Sequence, residues 1–174
     1  MSCLIINGAS RNNSVTNKVA QYISYRIDSI VISNIHGEIS GCTGCKSCFN
    51  GNTCIIKDSY SDILKQIQKF DCIIVISPIY GFSMCSKARA MVERMSPQLE
   101  KINSIYLLTI SGSHGYRGGD DLVTESFRRM CEYSSNSLCG YCNLITDDKC
   151  FEEIDISIID KFIKEVYHGI KKNR

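Results

Sequence analysis

The sequence predicts an α/β protein, a doubly wound, five-stranded parallel sheet in the order 2-1-3-4-5, built by residues 1–174 as a single domain. Three observations predict it. Five apolar runs alternate with five helical patterns along the chain, as βαβ units do. The strongest runs are continuously apolar, as strands buried on both faces must be. No two-residue turn signal joins one run to the next, so right-handed crossovers must connect them.

Composition sets outer limits. With 174 residues the chain is long enough for a substantial core. A net charge of +2 with scattered Lys and Arg gives no basic patch for nucleic acid. No apolar run approaches the ~20 residues that span a bilayer, so no membrane partner is expected. Met1 leads straight into an apolar run without a basic segment, so no secretory leader is expected. Eleven cysteines without such a leader argue against a disulfide framework and for a reducing, cytoplasmic setting. Exposed thiols in such number are an oxidation liability, which fits an anaerobic source.

Cys3-Leu4-Ile5-Ile6 is the first strand, closed by Asn7-Gly8. The polar stretch Gly8-Ala9-Ser10-Arg11-Asn12-Asn13-Ser14-Val15-Thr16 follows. A helix begins there, with Val15, Val19, Ile23 and Ile27 on one face and Asn13 or Ser14 as its cap. Strand, polar loop and helix N-terminus make an anion site, because free backbone N–H groups and the helix dipole both point at the loop. Ser10, Ser14 and Thr16 add hydroxyls, and Arg11 adds charge. A plain capped turn has the same pattern, so the loop alone does not decide for phosphate. Ile30-Val31-Ile32 is the second strand. Residues 36–57 then form a long loop, and a loop of that length inside a compact domain is usually functional. Asp58 or Ser59 caps a second helix bearing Tyr60, Ile63, Leu64 and Ile67.

Cys72-Ile73-Ile74-Val75-Ile76 is the most apolar strand and takes a central position. It is expected to stop at Ser77-Pro78, because proline has no N–H to give a ladder. Pro78, Ile79, Tyr80, Gly81 and Phe82 then place two aromatics and a glycine at the strand's carboxyl end, which suits a flat ring. Core aromatics after a proline stop would read the same way. A third helix runs to about Met95, with Ala88, Met91, Val92 and Met95 inward and Lys87, Arg89, Glu93 and Arg94 on its polar face. Ile105-Tyr106-Leu107-Leu108-Thr109-Ile110 is the fourth strand. Its loop, 111–119, includes Ser111, Gly112 and Gly115; such dense glycine lets backbone approach a ligand and equally suits a mobile lid. His114 is a lone loop histidine and is not taken as a catalyst. Residues 122–133 read as a helix and 139–145 as a weaker fifth strand. Ile154, Ile158, Phe162, Val166 and Ile170 mark a terminal amphipathic helix. In the 2-1-3-4-5 order, the loops after strands 1 and 3 lie side by side at the switch point, where such sheets bind ligands.

Within the long loop, Cys42, Cys45, Cys48 and Cys54 stand at C-x2-C-x2-C-x5-C spacing. Gly41, Gly44 and Gly51 allow tight bends, and Asn50-Gly51 is a turn signal. Close presentation of four thiolates is what an iron–sulfur cluster requires, or a tetrahedral Zn2+. Buried or idle thiols are the alternative, since free cysteine behaves as a small hydrophobe. The spacing is nearer to ferredoxin-type runs than to paired zinc knuckles. Cys139 and Cys142 lack a partner pair, so no second metal site is expected there. Cys85, beside the aromatic loop, reads as a core thiol at a helix start in preference to a reactive thiol.

These residues resemble the flavodoxin-like NAD(P)H-dependent FMN reductases, and among them the iron–sulfur flavoproteins. Residues 8–16 look like the family's FMN-phosphate loop, Ser77-Pro78-Ile79-Tyr80 like its flavin-ring loop, and Ala88-Arg89-Ala90-Met91-Val92-Glu93-Arg94 like its L-K-x-x-x-D-R helix. The four cysteines, followed by Ile55-Ile56-Lys57-Asp58, are similar to the compact cluster motif of the iron–sulfur members. One departure stands out: Ala9 replaces a serine that usually binds phosphate. The resemblance implies FMN held by Ser10, Arg11, Asn13, Ser14, Val15, Thr16, Pro78, Ile79, Tyr80, Gly81, Phe82, Ser111, Gly112 and Gly115. It implies a [4Fe–4S] cluster on Cys42, Cys45, Cys48 and Cys54, NAD(P)H or ferredoxin as electron donor, and a homodimer or homotetramer. No side chain need act as nucleophile or general acid. A cluster-free NAD(P)H-dependent FMN or quinone reductase and a non-enzymatic flavodoxin-like electron carrier are the rival readings.

Overall fold

The computed structural model describes residues 2–50, 53–113 and 115–172. Gly51 of the predicted turn and His114 lie outside the described residues. The strands are β1 (Cys3–Asn7), β2 (Ser29–Ser33), β3 (Cys72–Tyr80), β4 (Ser83–Met84), β5 (Ser104–Ser111) and β6 (Gly140–Ile145). Between and after them run α1 (Val15–Ser24), α2 (Ser59–Gln66), α3 (Ser86–Met95), α4 (Asp120–Tyr133) and α5 (Ser157–Lys172). The main sheet has the order β2-β1-β3-β5-β6, with every neighbouring pair parallel. With the two-residue β4 set aside, this is the predicted 2-1-3-4-5 order.

Strand alternation divides the interior into two cores. Leu4, Ile6, Ile73, Val75, Ile105 and Leu107 face α2, α3 and α4. Cys3, Ile5, Ile74, Ile76 and Leu108 face α1 and α5, where Val19, Ile23, Phe162 and Val166 meet them. Both faces of β1, β3 and β5 are therefore covered, which is why these strands read as unbroken apolar runs.

Two expectations need correction at the end of β3. The strand does not stop at Ser77-Pro78; it runs to Tyr80, and Pro78 pairs in register with Ile110 of β5. The reason is the direction of the missing N–H. The Ile76 carbonyl accepts from Gly8 N–H on the β1 side. Pro78, two residues on, faces the same side, but β1 ends at Asn7 opposite Ile76. No β1 residue lies opposite Pro78 to need its missing donor, and its carbonyl instead accepts from Cys85 N–H. Secondly, β4 folds back antiparallel on β3, pairing Tyr80 with Ser83 and Ile79 with Met84. The turn residues Gly81 and Phe82 both have positive φ, 55° and 60°, as a type I′ hairpin requires. Phe82 hid this turn, because a bulky side chain seldom occupies that backbone region.

Candidate functional site

Three loops meet at the carboxyl edge of the sheet, after β1, β3 and β5. Gly8 N–H donates to the Ile76 carbonyl at 2.8 Å, which seats the first loop on β3. A Cβ on Gly8 would lie 2.8 Å from Ala88 Cβ, 2.8 Å from Ile76 O and 3.0 Å from Cys85 Sγ. Only glycine therefore lets β1 approach the start of α3. Cys85 caps α3: its sulfur accepts from Ala88 N–H at 3.4 Å and its thiol donates to the Gly8 carbonyl at 2.9 Å. Buried and committed to these bonds, this thiol is structural, as its place at a helix start predicts.

A chain of amides shapes the first loop. Asn7 Oδ1 accepts from Ala9 N–H at 3.0 Å, and Asn7 Nδ2 donates to Asn17 Oδ1 at 2.8 Å. Asn17 Nδ2 in turn donates to the Asn12 carbonyl at 2.8 Å. Ser14 caps α1, accepting from Asn17 N–H at 3.2 Å while its hydroxyl donates to the Arg11 carbonyl at 2.9 Å. The Ser14 hydroxyl is thus used within the loop, and Thr16 is buried in the first turn of α1. Val15 opens that helix. Ser10, Arg11 and Asn13 are exposed. Among the described residues, the backbone N–H groups of Ser10 and Asn13 have no partner in the chain. The loop is an open set of donors at a helix N-terminus, the arrangement that binds anions. Asn7 and Asn17 were not picked out from sequence; an asparagine at a strand end just before a glycine is the signal that could have found the first.

At the second loop, Pro78 is buried and Ile79 half-buried, while Tyr80 and Phe82 are 54% and 52% exposed at the hairpin tip. Phe82 is braced by the third loop: a Cβ on Gly119 would lie 2.9 Å from Phe82 Cδ1, and Gly119 has φ +70°. In that third loop Ser111 is buried, its hydroxyl donating to the Ser113 carbonyl at 3.0 Å and accepting from Asn143 Nδ2 at 3.2 Å. Gly112 is exposed with open space around it, and Gly115 opens a short 3-10 turn. The predicted ring-facing and phosphate-facing residues therefore lie on three contiguous loops, with open backbone donors on one side and exposed aromatics on the other.

The cysteine loop lies at the other end of α3. Cys42, Cys45, Cys48 and Cys54 all line one cavity of about 100 Å3, walled by Phe49, Ile56 and Pro97 and by Arg94. Gly44 N–H donates to Cys42 Sγ at 3.4 Å. Among the described residues, no three His, Cys, Asp or Glu side chains converge closely enough to hold a single metal ion.

Arg94 corrects the helix reading. Periodicity predicts it on the polar face of α3, yet it is 4% exposed. Its Nη1 donates to Asp58 Oδ2 at 2.6 Å and to the Ser40 carbonyl at 3.1 Å; its Nη2 donates to Asp58 Oδ1 at 2.9 Å and Ser61 Oγ at 3.2 Å. Ser40 precedes the four cysteines and Asp58 follows them, so one guanidinium holds both feet of the loop. Asp58 also caps α2 through a reciprocal pair of bonds with Ser61. The Arg94 guanidinium holds the Asp58 carboxyl at about 2, below its ordinary 3.8, against the burial that pushes it up. The Arg94 guanidinium also stands 5.3 Å from the centre of the Tyr60 ring, whose phenol burial pushes upward.

A doubly wound parallel sheet with three loops gathered at its switch point defines a flavodoxin-like fold. More narrowly, the chain belongs to the NADPH-dependent FMN reductase family, whose profile matches residues 1–133. It is 28% identical to an iron–sulfur flavoprotein of Clostridioides difficile over 100% of this chain and 81% of that protein. An iron–sulfur flavoprotein of Archaeoglobus fulgidus matches at 24% identity over 51% of this chain and 40% of its own length. Among solved structures, an NADH:FMN oxidoreductase in its apo form superposes with a TM-score of 0.64 at 16% identity, covering 98% of this chain and 89% of that one. That likeness shows the shared fold. No helix of the described residues is long and apolar enough to cross a membrane.

Proposed function

We propose that this chain is an FMN-dependent oxidoreductase that passes electrons between FMN and a [4Fe–4S] cluster. The observation that carries the reading is the double attachment of α3. Its N-terminus is bonded to the phosphate-like loop through Cys85 and Gly8. Its C-terminal turn holds the four-cysteine loop through Arg94. One rigid helix thus links the two proposed cofactor sites.

Bound FMN would supply two-electron acceptance with one-electron release, and a cluster would supply one-electron transfer; the protein's part is to hold and tune them. Backbone N–H groups of residues 10–13, the Ser10 hydroxyl and Arg11 would hold the phosphate. Ala9 offers no hydroxyl and Ser14 spends its own on the cap, so backbone donors carry most of that contact. Tyr80, Gly81 and Phe82 with residues 111–115 would flank the ring. Cys42, Cys45, Cys48 and Cys54 would hold the cluster: ringing a cavity instead of converging on one point suits a polyatomic group. NAD(P)H or ferredoxin would act as donor, and the proposed state is a homodimer or homotetramer in the cytoplasm.

FMN is expected to bind apo-protein more tightly than FAD in a fluorescence titration; equal or better binding of FAD would contradict the flavin assignment. Anaerobic reconstitution with iron and sulfide is expected to load the wild-type protein. Cys45→Ala should lose most of the iron and the broad visible absorption while keeping its FMN affinity. The absence of a converged ligand set among the described residues favours a second reading, a cluster-free NAD(P)H-dependent FMN or quinone reductase. That reading becomes the right one if the anaerobic wild-type protein takes up neither iron nor sulfide yet oxidises NAD(P)H with bound FMN.

A further inference from the structure

Four of the bonds around Arg94 are accounted for above, and all four leave from its two terminal nitrogens. Its Nε–H is different. It is buried and, among the described residues, has no hydrogen-bond partner. A buried N–H without an acceptor is costly, and more so on a charged group. Arg94 lines the cavity that the four cysteines share, and it also lines the adjoining groove with Cys48 and Cys54. The cavity offers the sulfurs of Cys42, Cys45, Cys48 and Cys54 beside the oxygens of Thr43, Glu93 and Ser96, and of these lining residues Cys48 and Cys54 recur with Arg94 in the adjoining groove. Cys54 additionally packs against the core cluster that contains α3, which brings the last thiol of the loop to the helix carrying Arg94.

We propose that the Arg94 Nε–H donates a hydrogen bond to the Cys54 thiolate when that thiolate ligates a cluster, so that Arg94 is a positioning residue that sets the cluster's reduction potential. The inference rests on the cluster reading of the cavity. Its physical basis is charge. Reduction adds an electron to an already anionic group, and a fixed cation donating a hydrogen bond to a ligand sulfur stabilises the reduced form more than the oxidised one. The other four bonds of the guanidinium fix its plane, so Nε has no freedom to turn toward another acceptor.

The test is a redox titration of anaerobically reconstituted protein, followed by electron paramagnetic resonance. Arg94→Lys keeps the positive charge and can still pair with Asp58, but it has no Nε. It is expected to load iron and sulfide and to be harder to reduce by about tenfold in the equilibrium, about 59 mV for one electron. Loaded wild type and variant with the same potential would overturn the proposal and leave the cluster reading standing. Failure of the wild type to take up iron and sulfide would overturn both. A second measurement needs no variant. In wild-type protein labelled with 15N-arginine, the spin echo of the reduced cluster should carry a 15N coupling together with an exchangeable proton. A loaded, reduced cluster without that coupling would overturn the proposal even if Arg94→Lys fails to fold.

Discussion

Replacing Arg94 with alanine is expected to lower the unfolding free energy by about 3–5 kcal/mol, the usual cost of removing one partner from a buried ion pair. The pair is unusually enclosed, with side-chain exposures of 0% for Arg94 and 10% for Asp58. Removal takes the guanidinium from the Asp58 carboxylate and frees the Ser40 carbonyl, leaving the two feet of the cysteine loop with their direct bond, Ser40 N–H to Asp58 Oδ2 at 3.2 Å. The same pair sets an acid limit. Asp58 has a folded-state pKa of about 2 against 3.8 ordinarily. A depressed carboxylate stabilises the fold above its unfolded pKa and loses that stabilisation as pH falls through the folded one. Between about pH 4 and pH 2 this group should therefore cost the wild-type protein about 2 kcal/mol, and Asp58→Asn should abolish that part of the decline. Urea unfolding at pH 7, 4 and 2 measures both effects. A loss below about 1 kcal/mol for Arg94→Ala would mean that the pair is no better than a surface contact.

Gly8→Ala is expected to cost about 1–3 kcal/mol, as overpacking does, and to weaken FMN binding by at least about tenfold, or about 1.4 kcal/mol. Two of the three obstructing atoms, Ile76 O and Ala88 Cβ, belong to or sit directly on backbone, so neither can swing aside. Relief has to come from the loop between β1 and α1 moving off β3, which carries the donors of residues 10–13 away from their positions. Gly41→Ala is the control, because nothing lies within 4 Å of its added Cβ; it should stay within about 0.5 kcal/mol of wild type. Thermal unfolding and flavin titration of the two variants side by side decide the matter. Equal stability of both variants would show that the contact at Gly8 relaxes without loss.

What the sequence made legible follows from local chemistry. Continuous apolar runs marked β1, β3 and β5, because helices cover both of their faces. Ser14 and Asp58 were readable as caps, because a cap is defined within four residues. Pro78 misled for the opposite reason: whether a strand tolerates proline depends on where its neighbour ends, and β1 lies some seventy residues away in sequence. Arg94 misled in the same way. Helical periodicity puts it on the flank of the apolar stripe of Ala88, Met91, Val92 and Met95, and only the cysteine loop, packed over that flank, makes it buried. The side-by-side placement of the phosphate-like and aromatic loops was deducible from strand order, whereas their bracing by Asn7, Asn17, Cys85 and Gly119 is tertiary.

The dependence of the cysteine loop on Arg94 also imposes an order in time. Synthesis proceeds from the N-terminus at about 5–20 residues per second. The roughly forty residues between Cys54 and Arg94 therefore take about 2–8 s to make. Throughout that interval all four thiols exist, but the guanidinium that clamps the two feet of their loop, beyond their own bond from Ser40 N–H to Asp58 Oδ2, does not. β3, one of the strands that seat α3, is itself finished only at Tyr80, late in that interval. A nascent chain thus presents a complete set of sulfur ligands on a segment that lacks its Arg94 clamp, and the walled cavity closes only once α3 has emerged and docked.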